Sequence, residues 1–139
     1  MSGRLDDLVF CVDKKTGVVW VRDYVVPERT EQNTRMGLTA KNLGVFKNTV
    51  SSGYFADLKD YSDRYNLSTL GESGRLNCFS ALNKMMYALK RAYPSIDLTT
   101  ITPQFVIDND LPIKTIAEAV ENKLLPAVKR YEELVNTIV

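Results

Sequence analysis

Three short stretches of this 139-residue chain combine residue types that could do chemistry. The first, Asp108-Asn109-Asp110, begins like a calcium-binding loop. Such a loop also needs a glycine at its sixth position and a carboxylate at its twelfth, and these positions hold Ile113 and Ala119. The stretch is therefore interpreted as a polar connection before a helix, without a metal.

The other two stretches also lack essential residues. Gly71-Glu72-Ser73-Gly74-Arg75 has the composition of a phosphate-binding loop, but not the spacing or the Lys-Ser/Thr ending by which such loops hold a phosphate. Glu121 and Lys123 resemble half of a nuclease motif, but the pattern around them is helical and no aspartate on a strand precedes them suitably. A linker capped by Ser73 and a solvated helix face are the simpler interpretations.

Histidine is absent from the sequence. Its absence removes the commonest general base at neutral pH, the commonest transition-metal ligand and every histidine-dependent catalytic triad. We therefore expect a protein that is not an enzyme, with no catalytic residues, no metal ligands, no cofactor and no evident small-molecule substrate. Chemistry through carboxylates, lysine or tyrosine is the enzymatic alternative that remains open.

The composition, with 45% hydrophobic and 25% charged residues, is that of an ordinary folded domain. A formal net charge of +1 gives no overall attraction to nucleic acid or to an anionic membrane. The longest early apolar run, Leu8 to Val12, is too short for a signal peptide or a spanning helix. We therefore expect no membrane association. The expected location is the cytoplasm, or a virion assembled in the cytoplasm. Cys11 and Cys78 lie in apolar stretches and are expected to be buried thiols, with a disulfide as the alternative.

Two apolar runs predict a β-hairpin over residues 8–26. They are rich in β-branched and aromatic residues, and Gly17 between them suits the positive φ that closes such a turn. Both faces of the second strand are apolar, so helices, further strands or a partner must cover them. Alternation places Val19, Val21 and Val25 on one face and Val18, Trp20, Arg22 and Tyr24 on the other.

The next part predicts a helical hairpin over residues 30–66. Apolar residues recur at spacings of three and four in two stripes, separated by Ser51-Ser52-Gly53, which is expected to end one helix and cap the next. Thr30 is the expected cap of the first helix, and residues 67–74 are expected to form an exposed loop. The stripes are Met36, Thr39, Leu43, Phe46 and Val50, then Tyr54, Leu58, Tyr61 and Tyr65.

Residues 75–139 predict a C-terminal helical region. A helix is expected from Arg75 to Ala92, and Thr102-Pro103 predicts the cap and first turn of a short helix that ends near residues 108–110. The buried side of the helix from Arg75 to Ala92 is expected to carry Phe79, Leu82, Met86, Leu89 and Tyr93. Lys84 and Arg91 share a face of the longer helix and are interpreted as solubilising charges.

A final apolar stripe runs from Ile113 to Ile138, and its slip beside Pro126 predicts a kink or a break into two helices. The expected fold is therefore one mainly helical α+β domain over residues 1–139. In it an N-terminal β-hairpin packs on a bundle of about four to five helices.

Short motifs in the first half of the chain resemble those of a known group of proteins. Gly17-Val18-Val19-Trp20-Val21-Arg22, Val25-Val26-Pro27 and the helix start Thr30-x-Gln32-x-x-Arg35 are similar to small uncharacterised proteins encoded in phage and prophage regions. Those proteins pair a hairpin with a proline-led basic segment and a helical hairpin, and the resemblance covers residues 8–66. It implies a virion or packaging-associated component and carries no catalytic residues.

We therefore expect a non-enzymatic structural or assembly protein that self-associates or docks onto protein partners in a larger complex. Aromatic residues beside arginine are common interface anchors. The expected interface comprises Trp20, Arg22, Tyr24, Arg29 and Arg35. The same arginine and aromatic patch supports the alternative, a nucleic-acid-binding accessory protein.

Overall fold

The computed structural model describes residues 3–69 and 74–139, and the chain divides into two compact units, Met1–Glu31 and Gln32–Val139. The first unit is a small antiparallel sheet, and the second is built from helices joined by irregular chain. The mainly helical α+β class with an N-terminal hairpin is confirmed. The predicted loop residues 70–73, including the expected cap Ser73, lie outside the described residues.

The sheet of the first unit has three described strands in the order β1 (Gly3–Leu5), β2 (Leu8–Val12) and β3 (Val19–Asp23). The sequence predicted only β2 and β3, because β1 is too short to show an alternating pattern. The predicted second strand was also too long, since β3 ends at Asp23 rather than Val26. Pro27 biases Val26 towards an extended backbone, but Val25 and Val26 both lie beyond the paired segment.

The second unit contains five described α-helices and one short 3₁₀ helix. These are α1 (Glu31–Thr49), α2 (Ser52–Thr69), α3 (Cys78–Ala92), α4 (Pro103–Asp108), α5 (Ile116–Glu121) and the 3₁₀ helix Tyr131–Glu133. The helical hairpin prediction was too short, because residues 67–69 belong to α2 and not to a loop. The third helix begins at Cys78 rather than Arg75, because the Asn77 side chain caps it by accepting a hydrogen bond from the Ser80 N–H at 2.7 Å.

Side-chain caps also define the starts of α2 and α4. The Ser51 hydroxyl accepts a hydrogen bond from the Tyr54 N–H at 3.1 Å, which confirms the predicted cap between the first two helices. The Thr102 hydroxyl accepts one from the Phe105 N–H at 3.2 Å, with Pro103 in the first turn, so the predicted start of α4 is also confirmed. The sequence pattern therefore located the starts of α2 and α4, but it missed the caps Asn77 of α3 and Thr115 of α5.

The core of the second unit is formed where α2 packs on α3 and α5. Most of the predicted stripe residues are buried there, including Leu43, Phe46, Tyr54, Leu58, Tyr61, Leu82, Met86 and Leu89. Three expected core residues are instead exposed: Met36 by 56%, Tyr93 by 43% and Val135 by 61%. Met36 lies in the early part of α1, before its first buried residue Thr39, and Tyr93 lies just past the end of α3.

The two cysteines are free thiols and only half-buried, so the expectation of fully buried thiols was wrong. Cys11 lies on β2 of the sheet, and Cys78 opens α3, where the first turn of a helix lies at the margin of the core. The alternative disulfide does not form between them.

The final region departs most from its prediction. Only α5 and the 3₁₀ helix are helical after Ile113, although the apolar stripe continued to Ile138. Lys123 and Arg130 have left-handed backbones, with φ of +59° and +56°. Lys123 lies where α5 ends, and Arg130 lies directly before the 3₁₀ helix. Leu124, Val128, Leu134 and Ile138 are nevertheless buried, so an irregular chain fills this part of the core.

The last residues are held on the second unit by hydrogen bonds. The Ser51 N–H donates to the Ile138 carbonyl at 3.0 Å, and the Ile138 N–H donates to the Lys114 carbonyl at 2.9 Å. The buried Asp57 carboxylate of α2 accepts two bonds from Asn136, one from the backbone N–H and one from the side-chain amide, each at 2.9 Å. Irregular chain can therefore be buried here because its polar groups have partners.

Candidate protein interaction surface

The tight turn between β2 and β3 determines how their side chains are displayed. The Asp13 carbonyl accepts from the Gly17 N–H at 2.8 Å, and the Asp13 N–H donates to the Val18 carbonyl at 3.0 Å. Gly17 has a φ of +71°, as predicted for the left-handed position of a bulged turn. The Asp13 carboxylate accepts from the Lys15 N–H at 2.8 Å, and this bond is the main cause of its lowered pKa.

The turn sets a register in which each face of the sheet has its own set of side chains. Trp20 lies opposite Cys11, and Arg22 lies opposite Val9, so these four residues share one face, called here the tryptophan face. The opposite face, called here the valine face, carries Val19 opposite Val12, Val21 opposite Phe10 and Asp23 opposite Leu8. The predicted division of β3 between Val19 and Val21 on one side and Trp20 and Arg22 on the other is therefore confirmed.

All five residues of β3 are exposed. Val19 is 58% exposed, and Trp20 and Val21 are each 48% exposed. On the neighbouring strands Leu5 is 64% exposed, although β2 itself is mostly half-buried. Soluble domains expose single apolar residues freely, but exposed apolar residues on both faces of one strand are typical of a surface that contacts another molecule.

The outer edge of β3 also presents backbone groups. No further strand pairs with β3 among residues 3–69 and 74–139. The Tyr24 N–H donates to the Asp7 carbonyl at 2.6 Å, and together with the Asp13–Val18 bond this fixes which alternate pairs are hydrogen-bonded. The backbone groups of Trp20 and Arg22 therefore face β2, whereas those of Val19, Val21 and Asp23 face the outer edge.

The five residues predicted as the interface are only partly brought together. Trp20 and Arg22 lie on the tryptophan face, and Tyr24 continues their alternation just beyond the strand. Arg29 is an exposed residue of the irregular segment that follows. Arg35 lies in α1 and so belongs to the other compact unit.

Within the second unit, Arg35 lies close enough to Asp97 to affect its ionisation. The pKa of Asp97 is lowered mainly by a hydrogen bond from the Thr99 hydroxyl at 2.7 Å, and the positive charges of Lys90 and Arg35 lower it further. Arg35 therefore has a local electrostatic role in its own unit.

The described part of the chain offers little for other kinds of site. No three His, Cys, Asp or Glu side chains in residues 3–69 and 74–139 come together as metal ligands would. None of the helices in those residues combines the length and the apolar character needed to cross a bilayer.

One cluster of charges was not predicted as a site. Lys84 and Arg91 of α3 line a surface pocket of about 450 Å³, and Lys123, which follows α5, lines it from the other side. The spacing of Lys84 and Arg91 predicted that they share a helix face, but Lys123 joins them only through the tertiary fold. No sequence signal could have indicated that third member.

Comparison with known proteins gave no match: no protein family fits the chain, and no curated protein or solved structure is similar to it.

Proposed function

We propose that this chain is a non-enzymatic assembly protein that self-associates, or docks into a larger complex, through the sheet of its first unit. The observation that carries the proposal is the exposure of every residue of β3, although three of the five are large and apolar. A strand of this kind gains free energy when another chain covers its side chains, at about 25 cal/mol per Å² of apolar surface.

The open edge of β3 supplies a second attraction. Its outward N–H and C=O groups at Val19, Val21 and Asp23 can pair with a strand from another chain, as in β-strand addition. Natural edge strands are usually protected by charges, prolines or a covering element. In β3 the charged residues Arg22 and Asp23 are confined to one end, which leaves Val19 to Val21 as the unprotected part.

A virion or packaging-associated role is the specific form of assembly that we propose. Its support is the resemblance of residues 8–66 to small phage and prophage proteins. Such a component needs adhesive surface and no catalytic group, which agrees with a sequence that lacks histidine.

Light scattering coupled to size-exclusion chromatography over a range of protein concentrations tests self-association. We expect the measured mass to exceed 15.7 kDa and to rise with concentration. Val21→Pro removes an N–H that faces the outer edge, where proline is tolerated, and Val21→Lys places a charge on the valine face. Both variants should shift the protein towards monomer.

The matched control is Val45→Lys, which changes a valine of similar exposure, 55%, on α1 of the second unit. It should leave the mass distribution unchanged. Circular dichroism and the fluorescence of Trp20 confirm that each variant is folded. A wild-type protein that stays monomeric at every concentration, and also captures no partner assembly, contradicts the proposal.

Nucleic-acid binding is the second candidate, because Trp20 and Arg22 lie side by side on one exposed face. Stacking of bases on an aromatic ring beside a cation is a common mode of binding single strands. The measurement is fluorescence anisotropy of labelled single-stranded DNA and RNA at low salt. Binding that weakens steeply with salt and is lost in Arg22→Ala favours this candidate, and the absence of binding removes it.

A further inference from the structure

The pocket of about 450 Å³ in the second unit lies between α3 and the chain that follows α5. Lys84, Ala88 and Arg91 line it from α3. Lys123, Leu124 and Pro126 are among the residues that line it from the opposite side. Its volume is within the range of about 300–1,000 Å³ that small-molecule sites commonly have.

The charges around this pocket are all of one sign. Its lining includes two lysines and one arginine but no acidic side chain. Lys84 and Arg91 are two helical turns apart and so share one face of α3. In the described part of the chain none of the three cations forms an ion pair with a carboxylate, whereas Arg64 and Lys114 do. Three uncompensated cations around one cavity attract an anion.

One of these cations is held on a strained backbone. α5 ends in a motif in which the Leu124 N–H donates to the Ala119 carbonyl at 2.9 Å and the Lys123 N–H donates to the Val120 carbonyl at 3.0 Å. The residue at the Lys123 position must adopt a left-handed backbone, here with φ of +59°, and glycine is the usual choice. A lysine there is unfavourable for stability, and strain of this kind is often found at binding sites.

The head group of Lys84 is also positioned. Its Nζ atom lies 5.3 Å from the ring centroid of Tyr65, in a cation–π arrangement with α2. The lining also includes apolar residues, among them Ala88, Leu124 and Pro126. The site therefore combines three cations with hydrocarbon surface.

We propose that this pocket binds a small organic anion, with a carboxylate or phosphate group at Lys84, Arg91 and Lys123 and an apolar body on Ala88, Leu124 and Pro126. The proposal is independent of self-association, because every lining residue belongs to the second unit and none lies in the sheet. Such a ligand would also reduce the repulsion among the three cations.

The test is a titration of the full ¹⁵N-labelled chain with octanoate, followed by two-dimensional NMR, with octanol as the uncharged probe of equal chain length. Octanoate should shift the amide signals of Ala88, Lys123 and Leu124, with an affinity that falls as salt rises. Octanol should bind much more weakly. Removing one cation, as in Arg91→Ala, should weaken octanoate binding by about two- to fivefold, as expected for one charge contact at a surface.

Lys123→Gly separates binding from structure. It should raise the resistance of the second unit to urea, because glycine adopts the left-handed backbone without strain, and it should weaken octanoate binding at the same time. Lys41→Ala, an exposed lysine of α1 outside the pocket, is the control and should change neither property. Equal binding of octanol and octanoate, signal shifts confined to β3, or unchanged octanoate binding in Lys123→Gly would each overturn the proposal.

Discussion

The attachment of the C-terminal segment to α2 gives the most quantitative prediction. Asp57 is buried on α2, with 8% of its surface exposed, and its carboxylate accepts both hydrogen bonds from Asn136. Asp57→Ala removes both acceptors and leaves the Asn136 backbone N–H in a partly buried position. The variant should therefore be less stable than the wild type, and the C-terminal segment should separate from α2 more readily.

The size of the effect follows from the kinds of bond lost. Hydrogen bonds to a charged group contribute about 1.5–3 kcal/mol each. Relief of the cost of burying the carboxylate offsets part of this loss. We expect Asp57→Ala to lower the free energy of unfolding by about 2–4 kcal/mol. Asn136→Ala keeps the backbone donor and removes only the amide bond, so its loss should be about 1–2 kcal/mol.

Urea unfolding followed by far-ultraviolet circular dichroism measures these losses, because the helices all lie in the second unit apart from the first residue of α1. Trp20 fluorescence reports on the first unit and should change little. Asp63→Ala is the matched control, since Asp63 is an exposed aspartate of the same helix, and it should change stability by less than about 0.5 kcal/mol. If Asp57→Ala is as stable as Asp63→Ala, the two bonds to Asn136 do not stabilise the second unit.

Three further predictions concern the core and the turn. Tyr54→Phe removes the phenol that donates to the buried Ile113 carbonyl at 3.0 Å, so urea unfolding should show a loss of about 1–3 kcal/mol. Burial raises the pKa of both Tyr54 and Tyr61 above the ordinary value of 10.0. The contribution of the two neutral phenols to the free energy of unfolding is therefore complete below that pH and should be lost as the pH rises above it. Phenolate absorbance and urea unfolding at a series of alkaline pH values measure this, and stability that is constant across the range would contradict it. The methyl group of Gly17→Ala meets no atom within 4 Å, but residue 17 must keep a φ of +71°. Urea unfolding followed by Trp20 fluorescence should therefore show the first unit destabilised by about 1–2 kcal/mol. An unchanged urea midpoint would exclude backbone strain at this turn.

Much of the fold could be predicted because its signals are local. The turn at Gly17, the cap at Ser51 and the Thr102-Pro103 helix start each depend on one residue type and its neighbours within four residues. Such signals are present in the sequence whatever the rest of the chain does. The long apolar stripes of α2 and α3 were reliable for the same reason.

The C-terminal region could not be predicted because it depends on a left-handed backbone conformation that the residue type does not indicate. Lys123 is left-handed at the end of α5, where glycine or asparagine would have signalled a helix end. The apolar residues of the sequence beyond it keep near-helical spacing, so periodicity continued to predict helix. The irregular chain is instead held by distant partners, such as Asp57 for Asn136.

The candidate surface was predicted in part. Apolar residues on both faces of β3 indicated that the hairpin has too little cover of its own, and the high exposure of Trp20 agrees with that. The predicted interface grouped Arg35 with Trp20, but sequence spacing does not show whether residues this far apart meet in the fold. The two residues lie in different compact units. The joining of Lys123 to Lys84 and Arg91 is a tertiary effect with no local signature.

The bond between Asp57 and Asn136 also bears on how the second unit reaches its final state, since the two residues are 79 positions apart. Closing so long a loop is entropically costly, so local helix formation in α1, α2 and α3 can come first and this contact last. A contact that forms after the rate-limiting step affects the unfolding rate more than the folding rate. If the contact between Asp57 and Asn136 forms last, its loss should speed unfolding of the second unit more than it slows folding.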